Sequence, residues 1–393
     1  MANVEKMVSK VFNELADALE TGSFGQKMRV GVTTLGSEHG VENVVKGAEL
    51  AQKKDHGIEV VLIGPKVESS LTQEVVESED EGYKRMEEML DAGTLDACVT
   101  MHYSFPIGVS TVGRVVTPAE GQDMIVSTTT GTSATNRTEG MVRNAIYGIA
   151  TAKAIGIEKP TVGLLNVDNI RQVERILLDL KKNGYSIDFA ESHRSDGGAV
   201  MRGNDLLQAS ADVMVQDSLT GNILMKMFSS YSTGGGYEAT GYGYGPGVGE
   251  DYDRIVLIIS RASGAPVIAN AISYGGEVAK GKLPQIARAE MKAAKKAGLD
   301  DLIAAAVQKE KPAAEVEEVK APDAETVTET IAGIDILELE DAVRALWKHG
   351  VYAESGMGCT GPIVMINENK RDQAIEILGK EGFIQTDAGR DVC

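Results

Sequence analysis

Short apolar runs alternate with amphipathic stretches along most of the chain. Met28-Arg-Val-Gly-Val-Thr33 and Ile58-Glu-Val-Val-Leu-Ile63 read as strands, and Val41 to Lys53 between them reads as a helix. Further strands are predicted at Ala97-Cys-Val-Thr100, Met124-Ile-Val126, Thr161-Val-Gly-Leu-Leu165, Asp212-Val-Met-Val215 and Arg254-Ile-Val-Leu-Ile-Ile259. Helical stretches separate several of them, Arg171 to Lys182 among them. Met7, Val11, Phe12, Leu15 and Leu19 add a helix-spaced face near the start. Strands that are apolar on both faces and alternate with helices belong in a parallel sheet covered on each side. The expected fold is therefore α/β: a three-layer αβα arrangement around a mostly parallel sheet.

The pattern changes near Gln308. The run from Lys309 to Thr326 is rich in Pro, Ala and Glu and has no large apolar face, so it reads as a solvated linker extended by its own charge. Beyond it, Leu339, Val343, Leu346 and Trp347 mark one helix, Val351 to Glu354 and Ile363 to Ile366 two strands, and Lys370 to Lys380 a second helix. Three parts follow: an α/β domain over 1–307, a linker over 308–333, and a small α+β module over 334–393. About 60 residues make a marginal core, so the module is expected to dock on the main domain or on a partner. Its linker would also let it swing.

Charge narrows the partners. The 393 residues hold 58 acidic and 39 basic side chains, a net of −19, which argues against nucleic acid and anionic membranes. No apolar run approaches the roughly 20 residues of a membrane helix, and Met1-Ala-Asn-Val-Glu-Lys6 lacks a signal pattern. Cys98, Cys359 and Cys393 are odd in number and far apart, with neither a disulfide framework nor zinc spacing. A reducing cytoplasm suits them. The five histidines show no ligand spacing, so no metal is expected.

Four segments can carry chemistry. Cys359 lies in Ser355-Gly-Met-Gly-Cys-Thr-Gly-Pro362, whose glycines and proline predict a tight loop rather than a strand interior. A thiol on an open loop can act as a nucleophile; the alternative is a small residue in a turn. Asp212 to Lys226 predicts a strand, a turn at Thr220-Gly221-Asn222 and then a helix, the place where open α/β sheets bind anions through free amides. Asn222 and Lys226 would add a donor and a charge; the alternative is a capped helix. The loops after Thr33, with Gly36 and Ser37, and after Val126, ending at Asn136 and Arg137, offer hydroxyls and amides suited to an oxyanion, or simply to helix caps. The glycine- and tyrosine-rich run from Thr233 to Gly249 predicts a mobile surface loop, either a lid, a partner contact or a plain connector. No phosphate-loop or dinucleotide fingerprint is present. Cys98 reads as core.

These residues support a resemblance. Met28 to about Lys295 is similar to the phosphate acyltransferases of phospholipid synthesis, most closely in Ala211 to Lys226 and in Pro160-Thr-Val-Gly-Leu-Leu-Asn-Val167. That similarity implies a sheet of the phosphate acyltransferase or isopropylmalate dehydrogenase-like type. The whole chain, linker and Cys359 module included, resembles the component C alpha subunits of the glycine/sarcosine/betaine reductase complex. That resemblance implies an acyl-transferring subunit used in amino-acid fermentation. It would take the two-carbon unit from carboxymethyl-selenocysteine of the selenoprotein component A, hold it on Cys359 as an acetyl thioester, and release it to phosphate as acetyl phosphate. It implies a beta subunit as partner in a hetero-oligomer, thioredoxin acting on the selenoprotein, and inorganic phosphate as co-substrate with no cofactor on this chain. Thr220, Gly221, Asn222, Lys226, Gly36, Ser37 and Asn136 are the implied phosphate or acyl-phosphate residues. Asp217-Ser218-Leu219 departs from the more glycine-aromatic sequence of the phospholipid enzyme. A stand-alone acyl carrier protein:phosphate acyltransferase and a non-catalytic scaffold subunit are the alternatives.

Overall fold

The structure is a computed structural model that describes residues 27–193, 197–310, 319–335, 338–358 and 361–384. The helix expected around Met7 to Leu19, and Cys359 and Cys393, lie outside the described residues. A twelve-stranded sheet organises the first part. Its elements are β1 (Met28–Thr33), α1 (Val41–Lys54), β2 (Ile58–Gly64), β3 (Thr72–Val75), α2 (Glu79–Asp91), β4 (Ala97–Thr100), β5 (Val109–Val116), β6 (Asp123–Thr132), α3 (Arg137–Ala154), β7 (Thr161–Leu165) and α4 (Ile170–Lys182). The chain continues through β8 (Asp188–Phe189), β9 (Val200–Met201), α5 (Gly203–Leu207), β10 (Val213–Val215), α6 (Ser218–Ser230), β11 (Gly245–Val248), β12 (Val256–Ile258), α7 (Ala265–Lys280), α8 (Leu283–Lys296) and α9 (Leu299–Glu310).

The strand order is β3-β2-β1-β4-β12-β11-β5-β6-β10-β7-β8, with β9 beside β7. The pairs from β3 to β12 are parallel, and so are those from β6 through β10 to β7 and β8. Three antiparallel steps, β12 to β11, β11 to β5 and β5 to β6, separate these two parallel blocks. The blocks therefore point in opposite directions, and their carboxyl ends lie on opposite edges of the sheet.

The period of two along each strand fills both faces. In β2, Val60 and Leu62 join the large cluster under α1, α3, α4, α7 and α8, while Val61 and Ile63 pack with Met86 and Met89 of α2. In β10, Val213 and Val215 face the large cluster and Met214 faces Met225 and Phe228 of α6. The sheet is mixed, mostly parallel, and has helices on both sides, as the alternating apolar runs predicted. Cys98 is buried on the α2 face, and burial pushes its thiol well above the ordinary range.

Two local expectations are corrected here. The strand read at Met124 to Val126 continues to Thr132, with Thr128 and Thr129 bulged out of the ladder where the register shifts, so Ser127 to Thr132 are strand rather than loop. Their threonine hydroxyls find partners inside the sheet: Thr111 and Thr129 share a hydrogen bond of 2.6 Å, and Thr129 Oγ1 donates to the Tyr244 carbonyl at 2.7 Å. The glycine- and tyrosine-rich run is not a surface lid along its whole length either. Gly245–Val248 is β11, buried in mid-sheet. Gly245 has φ +86°, and a Cβ there would stand 1.8 Å from the Val112 carbonyl oxygen, so only glycine lets the two strands meet. Tyr242 lies under the Arg114 guanidinium at 4.2 Å, and Arg114 pairs with both Asp123 and Glu277.

A second sheet, β13 (Glu329–Ala332), β15 (Gly361–Ile366) and β14 (Ala353–Gly358), is antiparallel and carries α10 (Leu339–Lys348) and α11 (Arg371–Lys380) around its own apolar cluster. β13 falls within the segment whose composition read as linker, because Ile331 supplies an inward residue that the charge average hides. Gly356 and Gly358 are ladder residues, Gly358 facing Gly361, so the glycine-rich run is strand on both sides of Cys359-Thr360 rather than open loop throughout. Arg175 of α4 joins the two parts, pairing with Glu338 and donating to the Gly382 carbonyl at 2.7 Å.

Candidate functional site

The carboxyl ends of β1, β4 and β12 converge on one edge, where loops far apart in sequence are tied together. The Glu38 amide donates to the Arg261 carbonyl at 2.9 Å, and the Glu238 amide donates to the Ala262 carbonyl at 3.0 Å. Gly264 N–H returns a 2.8 Å bond to the Glu238 carbonyl, and Asn43 Nδ2 holds the Ser263 carbonyl at 3.0 Å. The His39 and Tyr237 rings meet edge to face with centroids 6.0 Å apart. Gly36 turns the first loop with φ +94°, and Ser37 Oγ accepts the His39 amide at 3.1 Å. The Thr34 hydroxyl at the head of this loop is buried with no hydrogen-bond partner among the described residues.

Lys226 reaches this edge from α6. Its ammonium donates to Glu238 Oε1 and to Ser260 Oγ, both at 2.6 Å, and lies 5.6 Å from the Tyr244 ring centroid. Glu238 is almost wholly buried and also accepts the Ser263 hydroxyl at 3.0 Å. Burial acts to lower the Lys226 pKa, but the Glu238 carboxylate outweighs it and the group is raised. Lys226 therefore stays charged through the neutral range. Asn222, one turn earlier, reaches the Tyr244 hydroxyl. Arg261 follows Ser260 and is exposed; its guanidinium makes no hydrogen bond or ion pair among the described residues and lies close enough to Tyr83 for its charge to act there. Two cations thus stand on this edge, one ammonium held by its own carboxylate and one uncommitted guanidinium, and a planar guanidinium fork is suited to a small oxyanion.

The remaining predicted residues gather elsewhere. α6 begins at Ser218, not after a turn at Thr220 to Asn222, because Asp217 caps it: Oδ1 accepts the Leu219 and Thr220 amides, each at 3.1 Å. Thr220 Oγ1 donates to Asp217 Oδ2 at 2.7 Å, and Arg137 Nη2 donates to the same oxygen at 3.1 Å. Burial works to raise the Asp217 pKa, but the Thr220 bonds and Arg137 overcome it and the carboxylate is lowered. A carboxylate thus already occupies the helix N-terminus that the sequence offered to an anion. Gly221 has another task. A Cβ there would lie 1.7 Å from the Thr128 carbonyl oxygen, so its lack of a side chain lets α6 rest on β6. Asn136 caps α3 by accepting the Glu139 amide at 2.9 Å. Beside it a cavity of about 450 Å³ is lined by Ser133, Thr135, Arg143 and Tyr147 among others, with Arg143 paired to Glu139 at 2.8 Å.

The structure thus brings Lys226 and Asn222 to the edge that holds the Gly36-Ser37 loop. It sets Thr220 and Asn136 together near Arg137 and Asp217, toward the other edge. Cys359 lies outside the described residues. Sequence reasoning missed Glu238, Tyr244, Ser260 and Arg261. The strand ending at Ile259 was a signal for the last two, since strand ends carry sites; nothing local marked Glu238 inside a glycine-rich run. Among the described residues, no His, Cys, Asp and Glu cluster could hold a metal ion, and no helix is long and apolar enough to cross a membrane.

Fold and loops define an α/β protein with a charged and hydroxyl-bearing cluster, Lys226, Glu238, Ser260 and Ser263, where the strands of one parallel block end. Residues 28–365 match the model of the family described as fatty acid synthesis protein. The chain is 62% identical over 384 residues to the glycine/sarcosine/betaine reductase complex component C subunit alpha of Peptoclostridium acidaminophilum, a match spanning 98% of this chain and 100% of that one. It is 26% identical over 236 residues to the phosphate acyltransferase of Thermotoga maritima, covering 51% of this chain and 68% of that one. A solved structure, a branched-chain phosphotransacylase from Enterococcus faecalis, is similar at 15% identity and TM-score 0.42, over 64% of this chain and 99% of that chain. The chain belongs to the fatty acid synthesis protein family and, within it, to the component C alpha subunits of the glycine/sarcosine/betaine reductase complex.

Proposed function

We propose that the chain is the acyl-transferring subunit of an amino-acid reductase complex. In this reading the two-carbon unit arrives as carboxymethyl-selenocysteine on the selenoprotein component A. The C–Se bond breaks and the selenium is left oxidised, joined to a thiol of that component as a selenenyl sulfide, so that its two electrons reduce the unit to the acetyl level. Cys359 takes the unit as an acetyl thioester, with one proton taken up and one water released, and phosphate then releases it as acetyl phosphate. The observation that carries the reading is the match of 62% over 98% of the chain to a component C alpha subunit. The phosphate acyltransferase match supports the acyl-to-phosphate step. In that step a phosphate oxygen attacks the thioester carbonyl, the C–O bond forms and the C–S bond breaks. The thiolate leaves on Cys359 and takes a proton from solvent; a thiolate is a far better leaving group here than an alkoxide. Arg261 takes the phosphate, with the charged Lys226 beside it and Ser37 and Asn222 as further donors. The chain itself needs no cofactor, and the beta subunit and the selenoprotein are its partners in a cytoplasmic hetero-oligomer. Thioredoxin acts one step away, on the oxidised selenoprotein.

Mass spectrometry of the purified chain after incubation with acetyl phosphate tests this reading. An acetyl adduct on the peptide bearing Cys359 is expected, and Cys359→Ala should abolish both the adduct and acetyl phosphate formation by the reconstituted complex. Normal turnover by Cys359→Ala would refute the thioester. Absence of any adduct, with binding to the beta subunit retained, points to a scaffold. The phosphate acyltransferase match favours one second reading, a stand-alone acyl carrier protein:phosphate acyltransferase. That enzyme would keep its activity on long-chain acyl carrier protein after truncation at Gln308, whereas the proposed subunit would lose its reaction.

A further inference from the structure

The small sheet leaves a strand edge open, and that edge leads to Cys359. β14 is paired with β15 alone, whereas β15 is paired on both sides. Two bonds fix which way the main chain of β14 points. The Thr328 amide donates to the Ile366 carbonyl at 2.9 Å, so Ile366, the residue opposite Ala353, turns its main chain toward the β13 side. Ala353 accordingly turns outward, and the Trp347 indole N–H donates to its carbonyl at 2.9 Å. Main-chain direction alternates along an antiparallel strand, and the β14–β15 register runs from Ala353 to Gly358 without a shift. Ser355 and Met357 therefore present their N–H and C=O groups outward, with no hydrogen-bond partner among the described residues. Trp347 closes the edge at Ala353; the open part lies immediately before Cys359.

Exposed edges are normally blunted by shortness, charged side chains, proline or a bulge. The outer strands elsewhere follow that rule. β3 has four residues with the Arg85–Glu74 pair at its side, β8 has two, and β13 is flanked by the Arg371–Glu329 and Lys370–Glu325 pairs. β14 has six residues, Ala-Glu-Ser-Gly-Met-Gly, with no lysine, proline or bulge.

We propose that the open edge of β14 is where the acyl donor docks: an extended segment of the selenoprotein component A adds to the small sheet as a strand beside Ser355 and Met357. The proposal rests on the function proposed above and specifies how that partner is held. Two considerations select the donor over other occupants. Neighbouring strands lie about 4.8 Å apart and rise about 3.3 Å per residue. A chain bonded at Met357 therefore carries its next residues past position 359, two residues on, at roughly the distance of a cross-strand side-chain contact. A second copy or a beta subunit seated there permanently would close that same approach, and a thiol that meets a new donor at each turnover needs the edge free between turnovers. Main-chain pairing sets the register and orientation of such a donor without a large apolar contact that would hold it back from leaving.

Ser355→Pro tests it, since proline removes the outward N–H and leaves the inward ladder of Glu354 and Gly356 in place. Acetyl phosphate formation is followed with the full chain, its beta subunit and increasing amounts of component A charged with the carboxymethyl group. Ser355→Pro is expected to raise the KM for component A at least ~10-fold, the worth of about one hydrogen bond, with kcat and the circular dichroism spectrum little changed. Glu340→Ala, which removes the carboxylate bonded to the Ser355 hydroxyl but no main-chain group, should keep the wild-type KM. Hydrogen exchange gives an independent readout: the amides of Ala353–Gly358 should gain protection when component A is added, and none from the beta subunit alone. If Ser355→Pro fails to fold, exchange in the wild type decides. A wild-type KM in a folded Ser355→Pro, or no gain of protection while the wild type turns over, overturns the docking alone. Protection already complete before component A is added overturns it too, because another occupant then holds the edge. A wild type that makes no acetyl phosphate from component A refutes the function proposed above, and the docking with it.

Discussion

Gly221→Ala should be among the more damaging single-methyl additions in this chain. The new Cβ would sit 1.7 Å from the Thr128 carbonyl oxygen and 2.8 Å from its carbon, both backbone atoms that no rotamer change can move. Relief requires α6 to retreat from β6 by about 1.5 Å, which opens the packing of Met225 and Phe228 on the sheet. Overpacking of this kind costs about 1–3 kcal/mol or more, whereas alanine gains about 1 kcal/mol over glycine in a helix interior. The net expectation is a loss of about 1–2 kcal/mol. Gly140 of α3 is the matched control. A Cβ there meets its nearest atoms at 3.5 and 3.7 Å, ordinary contact distances, so Gly140→Ala should stabilise by about 0.5–1 kcal/mol. Urea unfolding followed by circular dichroism measures both. The two variants should move in opposite directions, and acetyl phosphate formation should fall only in Gly221→Ala, since the displaced helix carries Lys226. If Gly221→Ala unfolds at or above the wild-type midpoint, the close approach of α6 to β6 is wrong.

Three other expectations follow from single groups. Arg261→Gln should raise the KM for phosphate about 10- to 100-fold, the worth of a charge-assisted hydrogen bond, with little change in stability; an unchanged KM removes Arg261 from the site. Asp205 is buried, and burial alone would raise its pKa. Bonds from the Arg202 and His193 amides and the Ser192 and Ser210 hydroxyls lower it instead. Its stabilisation is therefore complete above the ordinary carboxylate range near pH 4 and is lost as pH falls through the depressed value. Asp205→Ala should cost about 3 kcal/mol at neutral pH and flatten the acid limb of stability against pH; an acid limb identical to wild type would count against it. Cys359→Ala, read by the adduct and by acetyl phosphate release, tests the thioester.

The sequence by itself determined the layered sheet. Strands such as Val60 to Ile63 and Val213 to Val215 are apolar at every position, and a strand like that has to be covered on both faces wherever it lies. It also marked a helix running through Lys226, though not its start, and a strand on each side of Cys359, though not their full length, since periodicity acts locally. Its local readings failed where distant chain decides. The threonines after Val126 looked like loop, yet they are strand because β5 and Tyr244 supply partners for their hydroxyls. The glycines near Tyr244 looked mobile, yet they are buried because β5 passes within a methyl's width. Lys226 was legible as a charge near a strand end, but not its direction: the three antiparallel steps in mid-sheet send the two blocks opposite ways, so the helix that starts beside Asp217 delivers Lys226 to the edge of β12. Only there do Glu238 and Ser260, from two separate segments, come within reach of it. A side chain's type is written in the sequence; which charge faces it, and whether a guanidinium beside it is left uncommitted, depends on contacts between residues far apart along the chain, and those exist only once the sheet has closed.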